Sequence, residues 1–123
     1  MIVVDSSIWI EHLKSKPATS KLSNYFKNIH EVLTPTIVIY EVFKRMKKKH
    51  PVQKVYDMTA QMLKTHVIPI TADIAMTAAN VSLEHDLPME DSLVYATAVE
   101  YDCKVVTLDN DFRELPRAEV IKS

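Results

Sequence analysis

Apolar positions along the chain fall into short runs separated by stretches of helical spacing, which predicts strands alternating with helices. Residues 1–4 form a β-branched run too short for a helix, followed by three good helix-capping residues, Asp5, Ser6 and Ser7. Ile8, Trp9 and Leu13 then recur at helical spacing. Leu22, Tyr25, Phe26 and Ile29 predict a further amphipathic helix to about Asn28, after a break at residues 17–20. Val32 and Leu33 begin a second strand that stops at Thr34-Pro35, and a helix over residues 36–49 follows, apolar almost all round at its start and cationic at its carboxyl end. Pro51 restarts a helix carrying Val55, Met58, Met62 and Leu63. Residues 67–70 read as a strand which, because it holds Pro69, belongs at a sheet edge. Thr71 caps a helix with Ile74, Ala78 and Val81, and Leu87-Pro88 opens another with Leu93, Val94, Ala96 and Ala98 inside. Residues 104–108 are a strand, 109–111 a polar loop, and 119–121 a last short strand. Strands separated by helices imply parallel pairing, so the expected class is α/β, a single domain over residues 1–123 with its sheet covered on both faces.

Composition removes several alternatives. The chain has no glycine at all, where average usage is about 7%. Neither a Walker-type phosphate loop nor a dinucleotide fingerprint can be written without it, and turns must rest on Pro, Asn, Asp and Ser. The formal net charge of -1 argues against gripping nucleic acid through overall charge, although a local basic patch remains open. The single cysteine, Cys103, excludes an internal disulfide framework and suits a reducing compartment as a buried core thiol. No leader-like amino terminus and no membrane-length apolar stretch is present, so the expected location is cytoplasmic, with no membrane partner.

The chemistry then lies with the acids. Asp5 follows the first strand, Asp109 follows the strand at residues 104–108, and Asp91 opens a helix whose next turns are almost wholly apolar. In open parallel sheets, ligands bind outside the carboxyl ends of the strands. Asp5 has a capping role as its alternative, Asp91 a first-turn acid on the helix dipole, and Asp109 a turn residue. Glu41 has neither, because it sits in mid-helix between Tyr40 and Val42; its alternative is simple exposure. An unpaired, buried, ionised Glu would be costly, and several carboxylates gathered at one sheet edge would repel each other. A hard divalent cation resolves that conflict. The five histidines show no paired ligand spacing, which argues against zinc.

Four segments together resemble the PIN domain family, especially VapC-type toxins of prokaryotic toxin–antitoxin pairs. They are Met1-Ile2-Val3-Val4-Asp5-Ser6-Ser7-Ile8-Trp9-Ile10, Thr36-Ile37-Val38-Ile39-Tyr40-Glu41-Val42, Leu87-Pro88-Met89-Glu90-Asp91-Ser92-Leu93-Val94-Tyr95-Ala96-Thr97-Ala98 and Val106-Thr107-Leu108-Asp109-Asn110-Asp111-Phe112. The resemblance spans the chain in order. It departs from the pattern at Glu90, where a small residue is more usual, and in offering two aspartates, Asp109 and Asp111, for the fourth acid; Asp109 is preferred.

The resemblance implies a three-layer α/β/α fold with a central parallel sheet of four to five strands, and a Mg²⁺- or Mn²⁺-dependent endoribonuclease. Asp5, Glu41, Asp91 and Asp109, with Asp111 as a weaker candidate, would hold one or two metal ions, and Glu41 is a candidate to orient or deprotonate the attacking water. Ser6 and Ser7 would either support Asp5 from behind or cap the helix, with capping favoured for Ser7. Lys44, Arg45, Lys47 and Lys48, with Arg113 and Arg117 beyond the fourth segment, are candidates to bind RNA or else solvated ends. Tyr40 and Tyr95 read as core residues in preference to base-stacking platforms. The resemblance also implies a small antitoxin partner and a homodimer, sought on the exposed apolar parts of residues 17–26 and 51–63. An RNA-processing nuclease without an antitoxin and a non-catalytic regulatory module remain as alternatives. An aspartyl-phosphate enzyme fits poorly, because the second Asp expected two residues after Asp5 is Ser7. A receiver-type signalling domain fits poorly too, because no phospho-acceptor follows the middle strand.

Overall fold

A computed structural model describes residues 1–14 and 21–122. Its strands are β1 (Ile2–Val4), β2 (Val32–Pro35), β3 (His66–Ile68), β4 (Lys104–Thr107) and β5 (Ala118–Val120). Its helices are α1 (Ser6–Lys14), α2 (Thr36–Lys49), α3 (Val52–Leu63), α4 (Ala72–His85) and α5 (Met89–Glu100). All five strands pair in parallel, in the order β3-β2-β1-β4-β5. The α/β expectation therefore holds, with five strands flanked by five helices.

The order follows from burial. β1, β2 and β4 carry Val3, Val4, Val32, Leu33, Val105 and Val106, all at most 2% exposed, so the three most apolar strands take the sheet centre. β3 and β5 take the edges. β3 ends at Ile68, before Pro69, whose missing N–H cannot join a ladder. α5 is buried from Ser92 through Ala98 and packs on β1, β2 and β4 as well as on α2 and α4. Its Ala and Ser positions let the helix approach the sheet closely, and its first turn comes to rest beside the carboxyl ends of the central strands.

Without glycine, the chain places aspartate where the backbone turns left-handed. Asp86, at the end of α4, has φ 55°, and Asp102, after α5, has φ 51°. Aspartate tolerates this region better than most side chains. Asp102 also pairs with Arg117, Nη1 to Oδ1 at 2.9 Å.

One expected element is different. The predicted helix from Leu22 to about Asn28 is instead a 3₁₀ segment, Lys21–Phe26, followed by a second short turn, Ile29–Glu31. The Asn28 side chain accepts from the His30 N–H and restarts the chain there. Aromatic packing holds the segment in place. Phe26 lies 4.5 Å from the Trp9 ring and 4.1 Å from His12, and Tyr25 donates to Glu119 at 2.9 Å. The break expected at residues 17–20 lies outside the described residues.

The strand order reverses around β1. From β1 the chain moves to β2 and β3 on one side, then returns through α4 and α5 to β4 and β5 on the other. The carboxyl ends of β1 and β4 flank this switch point, where open α/β sheets form their crevice.

Candidate active site

Asp5 leaves β1 directly into the switch-point crevice. Its backbone N–H bonds to the Val106 carbonyl at 3.0 Å, continuing the β1–β4 pairing one residue beyond the strand. Its side chain is 3% exposed. Thr107 donates to its Oδ2 at 2.7 Å and Ser7 to the same atom at 3.1 Å. Each hydroxyl has one proton, so both are committed to Asp5. Their lone pairs reach the other way. Ser7 Oγ accepts from the Leu108 N–H at 3.0 Å, and Thr107 Oγ1 from the Asp109 N–H at 3.0 Å. The two hydroxyls thus tie the β1 acid to the loop after β4. Ser7 supports Asp5 rather than capping α1. Burial pushes the Asp5 carboxyl up, opposed by these hydrogen bonds.

Glu41 projects from the second turn of α2 into the same crevice, half-buried. Burial, followed by a hydrogen bond and charge repulsion from Glu90, and then by Asp5 and Asp91, pushes its carboxyl up to about 8. Asp91 sits in the first turn of α5. A helix amino terminus favours a carboxylate, yet burial and the charges of Asp109, Asp5, Asp111 and Glu90 outweigh it and raise the group to about 7.

Asp109 accepts the Asp111 N–H at 2.9 Å and so caps the short turn Asn110–Phe112, which the fully buried Phe112 pins to the core. Asp91, Asp109 and Asp111 each offer a carboxylate oxygen within 4.8 Å of the others. Two ionised carboxylates at that spacing repel by roughly 3 kcal/mol at an effective dielectric constant of about 20.

These acids line one cleft of about 490 Å³, together with Ser6, Ser7, Tyr40, Lys44, Arg45, Lys48, Pro88 and Glu90. The structure therefore gathers Asp5, Glu41, Asp91, Asp109 and Asp111, and both candidates for the fourth acid are present. It adds Glu90, which the sequence showed only as an unusual residue; the adjacent pair Glu90-Asp91 at a helix start was the available signal. Lys44, Arg45 and Lys48 share the cleft. Lys47 lines an adjoining groove, and Arg113 a further cleft that shares Pro88 and Asp111 with the acidic one. Arg117 is turned away, bound to Asp102 and to the Cys103 carbonyl. Tyr95 is buried as expected, but Tyr40 is 52% exposed, because one turn of α2 cannot bury both Tyr40 and the core residues Val38 and Val42.

Among the described residues the cleft's donor set is all oxygen, with no histidine or cysteine lining it, and burial and neighbouring carboxylates push Asp5, Glu41 and Asp91 up. Such a set fits a hard divalent cation of the Mg²⁺ or Mn²⁺ kind, which would relieve the repulsion. Asp91, Asp109 and Asp111 would hold it most directly, with Asp5 and Glu41 across the cleft.

Comparison with known proteins bears on the fold and the family. Among solved structures, a toxin–antitoxin complex from Klebsiella pneumoniae is similar, with a TM-score of 0.80, 22% identity and coverage of 98% of this chain and 97% of that one. The toxin VapC20 from Mycobacterium tuberculosis, described as cleaving the sarcin–ricin loop, gives a TM-score of 0.79 at 19% identity, covering 99% of this chain and 100% of its own. FitAcB from Neisseria gonorrhoeae gives 0.75 at 17%, covering 98% and 97%. At such identities these likenesses speak for the fold. Comparison with curated protein sequences gives no match. The family model of the PIN domain matches residues 2–118, a span that holds every acid of the cleft, and the chain therefore belongs to the PIN domain family.

Proposed function

We propose that the protein is a Mg²⁺- or Mn²⁺-dependent endoribonuclease that acts in the cytoplasm as the toxin of a type II toxin–antitoxin pair. The observation that carries this reading is the set of carboxylates gathered at the β1/β4 switch point and bordered by Lys44, Arg45 and Lys48. A bound divalent cation would lower the pKa of water at the site and offset charge on the attacked phosphate. The chain's own groups supply the rest. Asp91, Asp109 and Asp111 would hold the ion, and Ser7 and Thr107 fix the orientation of Asp5 beside them. With a cation bound, Glu41 would give up its own proton and could then take that of the attacking water as the phosphodiester P–O bond breaks, while a solvent water protonates the leaving ribose oxygen. Lys44, Arg45 and Lys48 receive the RNA backbone and offset the acidic floor, which would otherwise repel it.

Purified protein is expected to cut single-stranded RNA internally with Mg²⁺ or Mn²⁺ and to stop in EDTA. Asp91→Asn and Asp5→Asn, checked for an intact fold by circular dichroism, should each lower the rate by about a hundredfold or more. Full activity in both variants would overturn the metal-site assignment.

The toxin role rests on the similar structures, two of which are a toxin–antitoxin complex and a toxin. Expression should slow growth unless a small protein from an adjacent reading frame is supplied, and normal growth with an active enzyme would favour a processing nuclease. A homodimer belongs to the same proposal. Val52, Tyr56 and Leu63 on α3 and Met76 and Leu83 on α4 are exposed apolar side chains available to cover one another.

A further inference from the structure

Tyr40 lines two depressions at once, the acidic cleft and an adjoining apolar groove formed by Ile39, Phe43, Lys44, Lys47 and Lys48. Its side chain lines the acidic cleft together with Glu41, Lys44 and Lys48 of the same helix. Lys44 Nζ lies 3.4 Å from the Tyr40 hydroxyl and 5.5 Å from the ring centroid. One turn on, Lys47 Nζ lies 5.7 Å from the Phe43 ring centroid. The outer face of α2 therefore repeats an aromatic ring with an ammonium group beside it, at positions 40/44 and 43/47. Single-stranded nucleic acid is bound by that combination, with rings taking the faces of bases and cations taking the phosphates between them.

We propose that Tyr40, continued by Phe43 and flanked by Lys44 and Lys47, is the platform on which an unpaired base of the RNA stacks next to the phosphate being cut. This rests on the ribonuclease reading above and names a base subsite for it. Lys44 and Lys48 line both depressions, so a strand crossing from groove to cleft keeps its phosphates beside cations throughout. That charge also separates the possible occupants. The floor of the groove is almost wholly apolar, because its lysines line it with their methylene stems. The ammonium groups of Lys44 and Lys47 lie by the Tyr40 and Phe43 rings rather than in it, an arrangement that suits flat bases with phosphates between them. A polyanion with flat apolar bases is the better complement.

The test is fluorescence anisotropy with a short labelled single-stranded RNA, on protein carrying Asp91→Asn so that the RNA stays whole. Tyr40→Ala should weaken binding by about 5- to 150-fold, the range expected for one stacked base. Tyr40→Phe and Tyr40→Trp should stay within about twofold of the parent, since each keeps a ring. With RNA made abasic throughout, the difference between the parent and the Tyr40→Ala protein should vanish. A loss under about twofold for Tyr40→Ala, or an equal loss on abasic RNA, overturns the proposal. So does unchanged RNA binding with failure to bind the small partner, which would make the groove a protein-docking surface. Cleavage by the otherwise unaltered chain separates the two readings. If it cuts RNA and Tyr40→Ala leaves KM unchanged, the platform alone falls. If it never cuts RNA while binding still depends on Tyr40, the nuclease assignment falls, and Tyr40 remains a base-stacking platform for RNA with no scissile phosphate beside it.

Discussion

Thr107 joins more of the site than any acid does. Fully buried at the end of β4, it donates to Asp5 and accepts the backbone N–H of Asp109, so one hydroxyl positions two proposed metal-holding acids from different strands. Thr107→Val keeps the shape and removes both bonds. It should cost about 1–3 kcal/mol of stability, because Asp5 loses a buried partner, and weaken Mg²⁺ binding about 10- to 100-fold. Urea unfolding reads the first and the Mg²⁺ dependence of cleavage the second; a lower midpoint with unchanged Mg²⁺ dependence would reduce Thr107 to a structural residue. The side chains around it show how residue-scale signals differ in legibility. Glu41 was legible from the sequence because an ionisable group in an apolar helical run demands an explanation. Ser7 was not, because a serine after a strand looks the same whether it caps a helix or holds an acid. Only the position of β4 beside β1 decides that.

At the scale of elements, α5 and the turn at Asn110–Phe112 do the positioning. α5 is buried over residues 92–98, which leaves its first turn a single place to go, at the mouth of the crevice with Glu90 and Asp91. The turn is anchored by Phe112, whose burial holds Asp109 and Asp111 toward Asp91. Phe112→Ala should lower stability by about 3–5 kcal/mol and loosen metal binding, measured by denaturant midpoint and Mg²⁺ titration. A stability loss alone would mean the loop holds its shape without the anchor. The strands and long helices were legible in the pattern of apolar positions. The segment at Lys21–Phe26 was not, since spacings of three and four residues suit a 3₁₀ and an α-helix alike, and aromatic contacts with Trp9 and His12 settled it.

For the molecule as a whole, the crowded cleft couples stability to pH and to metal. Glu41 and Asp91 have folded-state pKa values of about 8 and about 7, above their ordinary values of 4.5 and 3.8. From about pH 5 upward the unfolded chain has already released these protons, while the folded chain holds that of Asp91 to about pH 7 and that of Glu41 to about pH 8. Stability therefore falls as pH rises through this window. His12, pushed below 6.5 by burial, acts in the opposite sense up to about pH 7, where the unfolded chain still binds its proton, and no longer opposes the trend above that. Thermal melts in EDTA should show Tm falling between about pH 7 and 8 and levelling off above that. Millimolar Mg²⁺ should abolish or reverse the fall, because ionised carboxylates bind the cation and only the folded state gathers them. A Tm independent of pH in EDTA would mean the acids are less crowded than the structure places them. Among the described residues, no helix is long and apolar enough to cross a membrane. The most exposed large apolar side chain, Leu83 at 86%, lies on the outer face of α4. Leu83→Glu should shift a dimer toward monomer in light scattering, and no shift would leave the α3 surface as the place to look.

What the sequence determined by itself was the α/β order of elements, the absence of glycine phosphate loops and the identity of the acids, since each is carried by local spacing or composition. Tertiary structure decided which acids share a cleft, which cations border it and which tyrosine is exposed. Glu90, Asp111 and Tyr40 acquired their places there. The physical reason is that repulsion, burial and hydrogen bonding act through space. Residues 5, 41, 91 and 109 become neighbours only when β1 and β4 pair and α5 packs across them.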